Sequence, residues 1–294
     1  MFRHSIPLGR IFGLPVDLDY SWFLIFGLLT WMLAVNYFPR EFKNWSAPEY
    51  WFLGALTAVI FFVSVLLHEL GHSLVALRYK VQVPRITLFI FGGVSQIVGE
   101  PPSAGAEFWI AVAGPIVSFA LTGLFFVLQL LLAPISPLLA TAKYLALINV
   151  MLALFNLIPG FPLDGGRVFR AIVWGVSQNC RKATLIAADT GRLIGFFFIA
   201  FGVWFALRGN FFNGLWIAFI GWFLESAAAA QVQQQVMQGL LAGHKVSEAM
   251  GHDYVTIPPG TTLERVVHDH ILASGRTSFV IMSDSEVVGL LTLA

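Results

Sequence analysis

Long apolar runs dominate the pattern of this chain. Tyr20 to Pro39, Tyr50 to Leu67, Phe108 to Ala142, Tyr144 to Leu163, Leu193 to Leu207 and Gly209 to Leu224 carry no charged residue. A membrane-spanning helix needs about 20 mostly apolar residues, so these runs predict spans. The third is too long for one span and contains Pro134 and Pro137, which divide it into an arriving and a leaving helix. Six helices follow, near 20–38, 49–78, 107–132, 138–158, 188–207 and 211–230.

The pattern changes in three places. Residues 1–19 hold Arg3, Arg10, Pro15, Asp17 and Asp19, and no small-residue cleavage site follows the first apolar run. This end reads as a short retained tail, not a signal peptide. Between Val81 and Gly99, Ile86, Leu88 and Ile90 alternate ahead of Gly92-Gly93, with Val94, Gln96 and Val98 beyond. That is the pattern of a hairpin turning at the glycines. Near residue 230 the apolar body ends. Ala227 to Gly243 is small and Gln-rich, and from Lys245 the chain looks soluble. Val255–Ile257 reads as a strand, Pro258-Pro259-Gly260 as a turn, and Thr262 to Ala273 as an amphipathic helix capped near Thr262. Ser278–Met282 and Val287–Thr292 read as strands around an Asp284/Ser285 turn. The expected divisions are a membrane domain at 1–230, a helical linker at 231–244 and a soluble piece at 245–294.

Composition supports the membrane reading. The hydrophobic set makes up 57% of the 294 residues and the charged set 11%, against about a quarter charged in a soluble domain. Mean hydropathy is +0.79. A net charge of +1 argues against nucleic acid as a partner, and the single Cys180 excludes an internal disulfide or a multi-cysteine metal site. With the N-terminus placed in the cytoplasm, eleven basic residues fall on inner segments and four, Arg40, Lys43, Lys143 and Arg208, on outer ones. This positive-inside bias puts both termini in the cytoplasm.

Chemistry must come from the few polar residues within the spans. His68-Glu69-Leu70-Gly71-His72 lies directly after an uncharged run. On a helix the two histidines lie one turn apart on one face, which suits two imidazoles on one Zn2+. Glu69 beside them can hold a water and take its proton. A histidine pair of purely structural use, or a proton relay, is the plain alternative, but three polar groups in a membrane helix are costly without a function. A catalytic zinc usually has three protein ligands, and no further histidine lies in the membrane part; His4, His244, His252, His268 and His270 are all outside it. The search therefore moves to carboxylates, and to Asp164 within Asn156-Leu157-Ile158-Pro159-Gly160-Phe161-Pro162-Leu163-Asp164-Gly165-Gly166. The prolines end the fourth span, and the glycines permit tight turns that carry Asp164 in a loop. Irregular backbone at membrane depth needs protein or a wet cavity around it. Helices two and four both run inward, so the two motifs can meet on the cytoplasmic side.

These residues resemble the site-2 protease family of intramembrane zinc metalloproteases, with a match over residues 5–230 carried by His68-Glu69-x-x-His72 and Asn156…Asp164-Gly165. The resemblance implies Zn2+ held by His68, His72 and Asp164, with Glu69 as general base. It implies that Asn156 holds substrate backbone or stabilises the oxyanion; an amide that merely satisfies the broken helix end is the alternative. Pro159-Gly160-Phe161-Pro162 departs from the family's commoner Pro-x-Pro and is similar to the subgroup with six spans and a cytoplasmic tail. Ala113-Gly114-Pro115 is also similar to the family. Beside such a site, the 81–99 hairpin could offer a strand edge to unwound substrate or simply shield the zinc.

Val246-Ser247-Glu248-Ala249-Met250, Thr256 to Leu263, Phe279-Val280-Ile281 and Val288–Thr292 resemble the opening of a cystathionine-β-synthase (CBS) module. Such modules work as pairs and often bind adenine nucleotides. Only a first repeat is expected here, lacking its last helix, so the module reads as truncated. The fold class expected is an all-α polytopic membrane protein with a small β-hairpin and a partial α/β tail. The function expected is cleavage of a membrane-embedded regulatory protein near the cytoplasmic face of a bacterial or archaeal inner membrane, with self-association left open. The runner-up is a CBS-gated transporter or channel whose His, Glu and Asp bind ions or protons, although no repeat between halves is visible. A catalytically silent relative is disfavoured by the intact Glu69.

Overall fold

The computed structural model describes residues 5–43, 45–90, 92–132, 136–241, 245–250, 254–272, 275–283 and 286–292. Two compact units divide the chain, Met1–Met237 and Gln238–Ala294.

The first unit begins with strands, which the sequence reading took for a tail. β1 (Ser5–Ile11) and β2 (Leu14–Asp19) form an antiparallel hairpin turning at Phe12-Gly13, both with positive φ. β2 then pairs in parallel with β3 (Ile86–Phe89), and β3 pairs antiparallel with β4 (Gly92–Ser95), so the expected lone hairpin is half of a four-stranded sheet. Leu14, Val16 and Leu18 alternate inward and are buried. Between them, Asp17 is also buried and receives Arg85 Nη1 at 2.9 Å, an ion pair that fastens β2 to β3. Phe89 pairs with Gly92, so the β3–β4 turn falls before the glycines instead of on them.

The helices follow the apolar runs. α1 (Ser21–Met32) continues through a π-helical turn at Leu33–Tyr37 into α2 (Phe38–Glu41). α3 (Ala47–Arg78) begins with a capping box in which Ser46 N–H donates to Glu49 Oε2 at 2.6 Å. Its 32 residues make a rod about 48 Å long. α4 (Ala104–Leu131) is capped by Ser103, whose Oγ accepts from Ala106 N–H at 3.2 Å, and packs against both α3 and α5 (Ser136–Asn156). Pro137 sits in the first turn of α5, where a proline is tolerated; Pro134 lies outside the described residues.

After Asn156 the chain turns through Leu157–Leu163 and enters an unforeseen helix, α6 (Asp164–Ser177). Asp164 is its first residue, so the expected loop carboxylate is a helix-terminal one. Gly165 and Gly166 belong to the same helix, and neither has the positive φ of a turn glycine. A Cβ on Gly165 would lie 2.3 Å from the Leu157 carbonyl carbon, and one on Gly166 2.3 Å from that of Gly160. Close approach of helix and turn, not turning, calls for both. α7 (Cys180–Leu207) starts eight residues earlier than expected, capped by Asn179, and α8 (Phe211–Leu241) extends well past residue 230.

Six helical segments are long and apolar enough to cross a membrane among the described residues: Ser21–Glu41, Ala47–Arg78, Ala104–Leu131, Pro137–Asn156, Cys180–Leu207 and Phe211–Gln233. Their outer faces stay strongly apolar, with Leu24, Phe52, Leu131, Phe197 and Phe212 exposed, as lipid-facing surfaces require.

Past the end of α8, the second unit carries α9 (Val246–Ala249), β5 (Thr256–Ile257), α10 (Leu263–Val266) with a π-helical continuation at Val267–Ile271, and strands β6 (Ser278–Ser283) and β7 (Glu286–Thr292). Its sheet runs β5-β6-β7, parallel then antiparallel, over a small core of Ile257, Val266 and Phe279. Thr262 precedes α10, as the sequence indicates. The far end of that helix at Ala273, the Asp284/Ser285 turn, and His4, His244 and His252 lie outside the described residues.

Candidate active site

α3 presents His68 and His72 one turn apart, both buried, and α4 orients them. His72 Nδ1–H donates to the Ile110 carbonyl at 2.7 Å, and His68 Nδ1 meets the Ser118 hydroxyl at 2.8 Å. Engaging the inner nitrogens in this way aims both Nε2 atoms at one point. Gly114 lies midway between Ile110 and Ser118, and any side chain there would occupy that point.

Asp164 arrives from the opposite side at the start of α6. Its Oδ2 lies 3.1 Å from each Nε2, and the two Nε2 atoms are 3.2 Å apart. Burial by itself would raise the Asp164 carboxyl, but the imidazoles of His72 and His68 outweigh it and hold the group below its usual range. The two Nε2 atoms and the carboxylate oxygen form a triangle of about 3.1 Å that a cation among them, or a shared proton, holds together. A tetrahedral zinc with bonds of about 2.0–2.1 Å spaces its ligands about 3.4 Å apart, so the donor set fits zinc. His68, His72 and Asp164 are the group among the described residues with the geometry to hold a metal ion.

Glu69 faces the same space from α3. Its Oε2 accepts from Ser95 N–H at 3.1 Å and from Ser95 Oγ at 2.7 Å, so the edge strand β4 holds the carboxylate. Ser73 reinforces the grip, donating to the Glu69 carbonyl at 2.8 Å and meeting Ser95 Oγ at 3.0 Å. Gly93 brings β4 close enough to do this. Asn156, at the end of α5, donates through Nδ2 to the Leu152 carbonyl at 3.0 Å, the helix-end contact weighed above, and also lines the cavity.

All five residues expected from sequence therefore border one cavity of about 210 Å3, together with Gly93, Val94, Ser95, Ile97, Pro162 and Arg167. Ser95, Ser118, Gly93 and Arg167 were missed. A signal existed for two of them: Arg167 falls one turn after Asp164, and Ser118 falls one turn after Gly114.

The model of peptidase family M50 matches residues 56–139 and 133–201. The chain is similar to the Rip3 protein of Mycobacterium tuberculosis, named as a candidate zinc metalloprotease, at 38% identity over 99% of this chain and 75% of that protein. It belongs to peptidase family M50. A zinc metalloprotease of Methanocaldococcus jannaschii is 31% identical over 98% of this chain and 78% of that protein. The solved site-2 protease from the same organism aligns with TM-score 0.54 and 31% identity, covering 78% of this chain and 95% of that one. As an M50 peptidase with six apolar helices, the chain is a multi-pass membrane zinc metalloprotease, and its substrates are membrane proteins. The transporter or channel alternative gives way to this membership.

Proposed function

We propose that His68, His72 and Asp164 hold a single Zn2+, that Glu69 is the general base, and that Asn156 binds substrate backbone or the developing oxyanion. Zinc bound there polarises the scissile carbonyl and lowers the pKa of the attacking water. Glu69 takes the proton from that water and returns it to the leaving amine. The observation that carries the reading is the meeting of three candidate ligand atoms within 3.1–3.2 Å beside Glu69 in one cavity.

His68 lies ten residues, or about 15 Å, before the end of α3 at Arg78. With both termini in the cytoplasm, cleavage falls toward the cytoplasmic face of the plasma membrane. The substrate is a membrane-embedded regulatory protein, as in regulated intramembrane proteolysis. An intact helix hides its carbonyls in hydrogen bonds, so the cut site unwinds first, and glycine, proline or other weak helix formers are expected near it. The soluble segment at 245–294, joined through a 231–244 linker to the 1–230 protease domain, acts as part of a CBS module, which takes an adenine nucleotide only as a complete pair. Self-association is a separate matter that light scattering of the purified protein resolves.

Glu69→Gln tests the mechanism. The variant should bind zinc at the parent level and lose cleavage of a reporter transmembrane substrate by about 10³-fold or more. Full proteolysis with zinc bound would overturn the role given to Glu69.

A further inference from the structure

Arg167 sits one turn after Asp164 on α6, so the two side chains share a face, and it lines the same cavity as Glu69, His68 and His72. Its side chain is 22% exposed, and its Nε approaches Glu107 Oε1 no closer than 3.9 Å, which is too long for a hydrogen bond. Among the described residues no hydrogen bond to this guanidinium is seen, although it carries five N–H donors.

Its neighbour Arg170 shows what a structural arginine looks like here. Arg170 Nε donates to Glu107 Oε1 at 2.6 Å, Nη2 pairs with the same oxygen, Nη1 reaches Thr184 Oγ1 at 3.3 Å, and the guanidinium lies over Phe161. The fully buried Glu107 is therefore already partnered, and one carboxylate cannot balance two guanidiniums. Arg167, which Glu107 approaches only to 3.9 Å, is the arginine that borders the cavity, and it shares that cavity with the carboxylates of Asp164 and Glu69. The Arg167 side chain is 22% exposed and borders the cavity, so its N–H donors are available to a ligand bound there.

We propose that Arg167 is a catalytic residue whose guanidinium binds the oxyanion that develops on the scissile carbonyl. This rests on the ligand and base assignments above. Water adds its oxygen to the carbonyl carbon and gives its proton to Glu69, and the carbonyl oxygen gains the electron pair. Collapse then breaks the C–N bond as Glu69 returns that proton to the departing amine; the remaining hydroxyl proton follows through Glu69 to the same nitrogen, leaving a carboxylate and an ammonium. Arg167 meets negative charge at the first stage and again at the last, and it stays protonated throughout.

The test uses the full chain loaded with zinc, with Arg167→Gln and Arg167→Lys beside the parent and Glu69→Gln. Arg167→Gln should lower kcat by about 10²- to 10³-fold, with KM within about twofold and zinc content unchanged; Arg167→Lys should recover part of the loss. A phosphinate peptide, which mimics the tetrahedral intermediate, should bind Arg167→Gln about a hundredfold more weakly. The neutral chelator ortho-phenanthroline should bind all forms alike. Should Arg167→Gln not fold, Arg167→Lys decides, with a kcat loss of about tenfold expected from the missing fork. Parent-like kcat, unchanged phosphinate affinity, a loss confined to KM, or loss of zinc from the Arg167 variants would each overturn the proposal. A parent without zinc, or an active Glu69→Gln, would instead indict the underlying site assignment.

Discussion

Gly114 and the His72 imidazole compete for the same space: a Cβ on the glycine would stand 2.1 Å from Nε2 of His72, and 2.6 Å from that of His68. Helix α4 thus approaches the two histidines so closely that only hydrogen fits. Gly114→Ala should push both imidazoles off their common point. We expect zinc content below about a tenth of the parent value with helicity preserved, measured by metal analysis and far-ultraviolet circular dichroism, because the strain falls on two side chains and not on the fold.

Gly93→Ala should give the opposite pattern. A Cβ there would lie 2.5 Å from Glu69 Cγ and 3.3 Å from Leu88 Cδ2, with no metal-ligand atom among its nearest neighbours. Glu69 would have to leave its rotamer and its two hydrogen bonds to Ser95. Zinc should stay at the parent level while cleavage falls by about 10- to 100-fold. Zinc loss would show that β4 supports the ligands and not the base.

The cluster at the start of α4 has a stability signature. Glu107 is fully buried with one oxygen lacking a partner, and Arg170 supplies its close ion pair. Removing one member of a buried pair strands the other, at about 3–5 kcal/mol. Arg170→Met should therefore lower the thermal midpoint in detergent sharply, and Glu107→Leu combined with Arg170→Met should recover most of the loss. Equal destabilisation in single and double variants would contradict this.

How much was legible in the sequence differs from element to element. The spans were, because long uncharged runs have one economical solution in a bilayer. The meeting of His68 and His72 with Glu69 beside them was, because helical spacing puts the two histidines on one face without tertiary knowledge. The N-terminal strands were not, since β2 finds its parallel partner β3 only after two helical segments, a pairing no local pattern reports. Helix α6 was hidden by its own start: Pro159, Pro162, Gly165 and Gly166 together read as a turn, whereas the last two are helical residues pressed against the turn's backbone. In sequence Arg167 is one of eleven basic residues on inner segments. That its guanidinium makes no hydrogen bond among the described residues becomes visible once Glu107, sixty residues earlier in the chain, is seen to be held by Arg170.

Metal removal should loosen the membrane domain. At the proposed site Zn2+ would tie α3 to α6 through ligands from both, and free zinc at about a thousandfold over Kd would contribute about 4 kcal/mol of stability. The thermal midpoint of the parent should fall on adding a strong chelator, whereas that of Asp164→Ala should not move. A chelator response kept in Asp164→Ala would place the stabilising metal elsewhere.

The central claim is that His68, His72 and Asp164 together make one zinc site. Metal analysis of the purified parent, His72→Ala and Asp164→Ala tests it most directly. The account predicts about one zinc per chain in the parent and near none in either variant, since each substitution leaves only two protein ligands. Full zinc stoichiometry in both variants would contradict it.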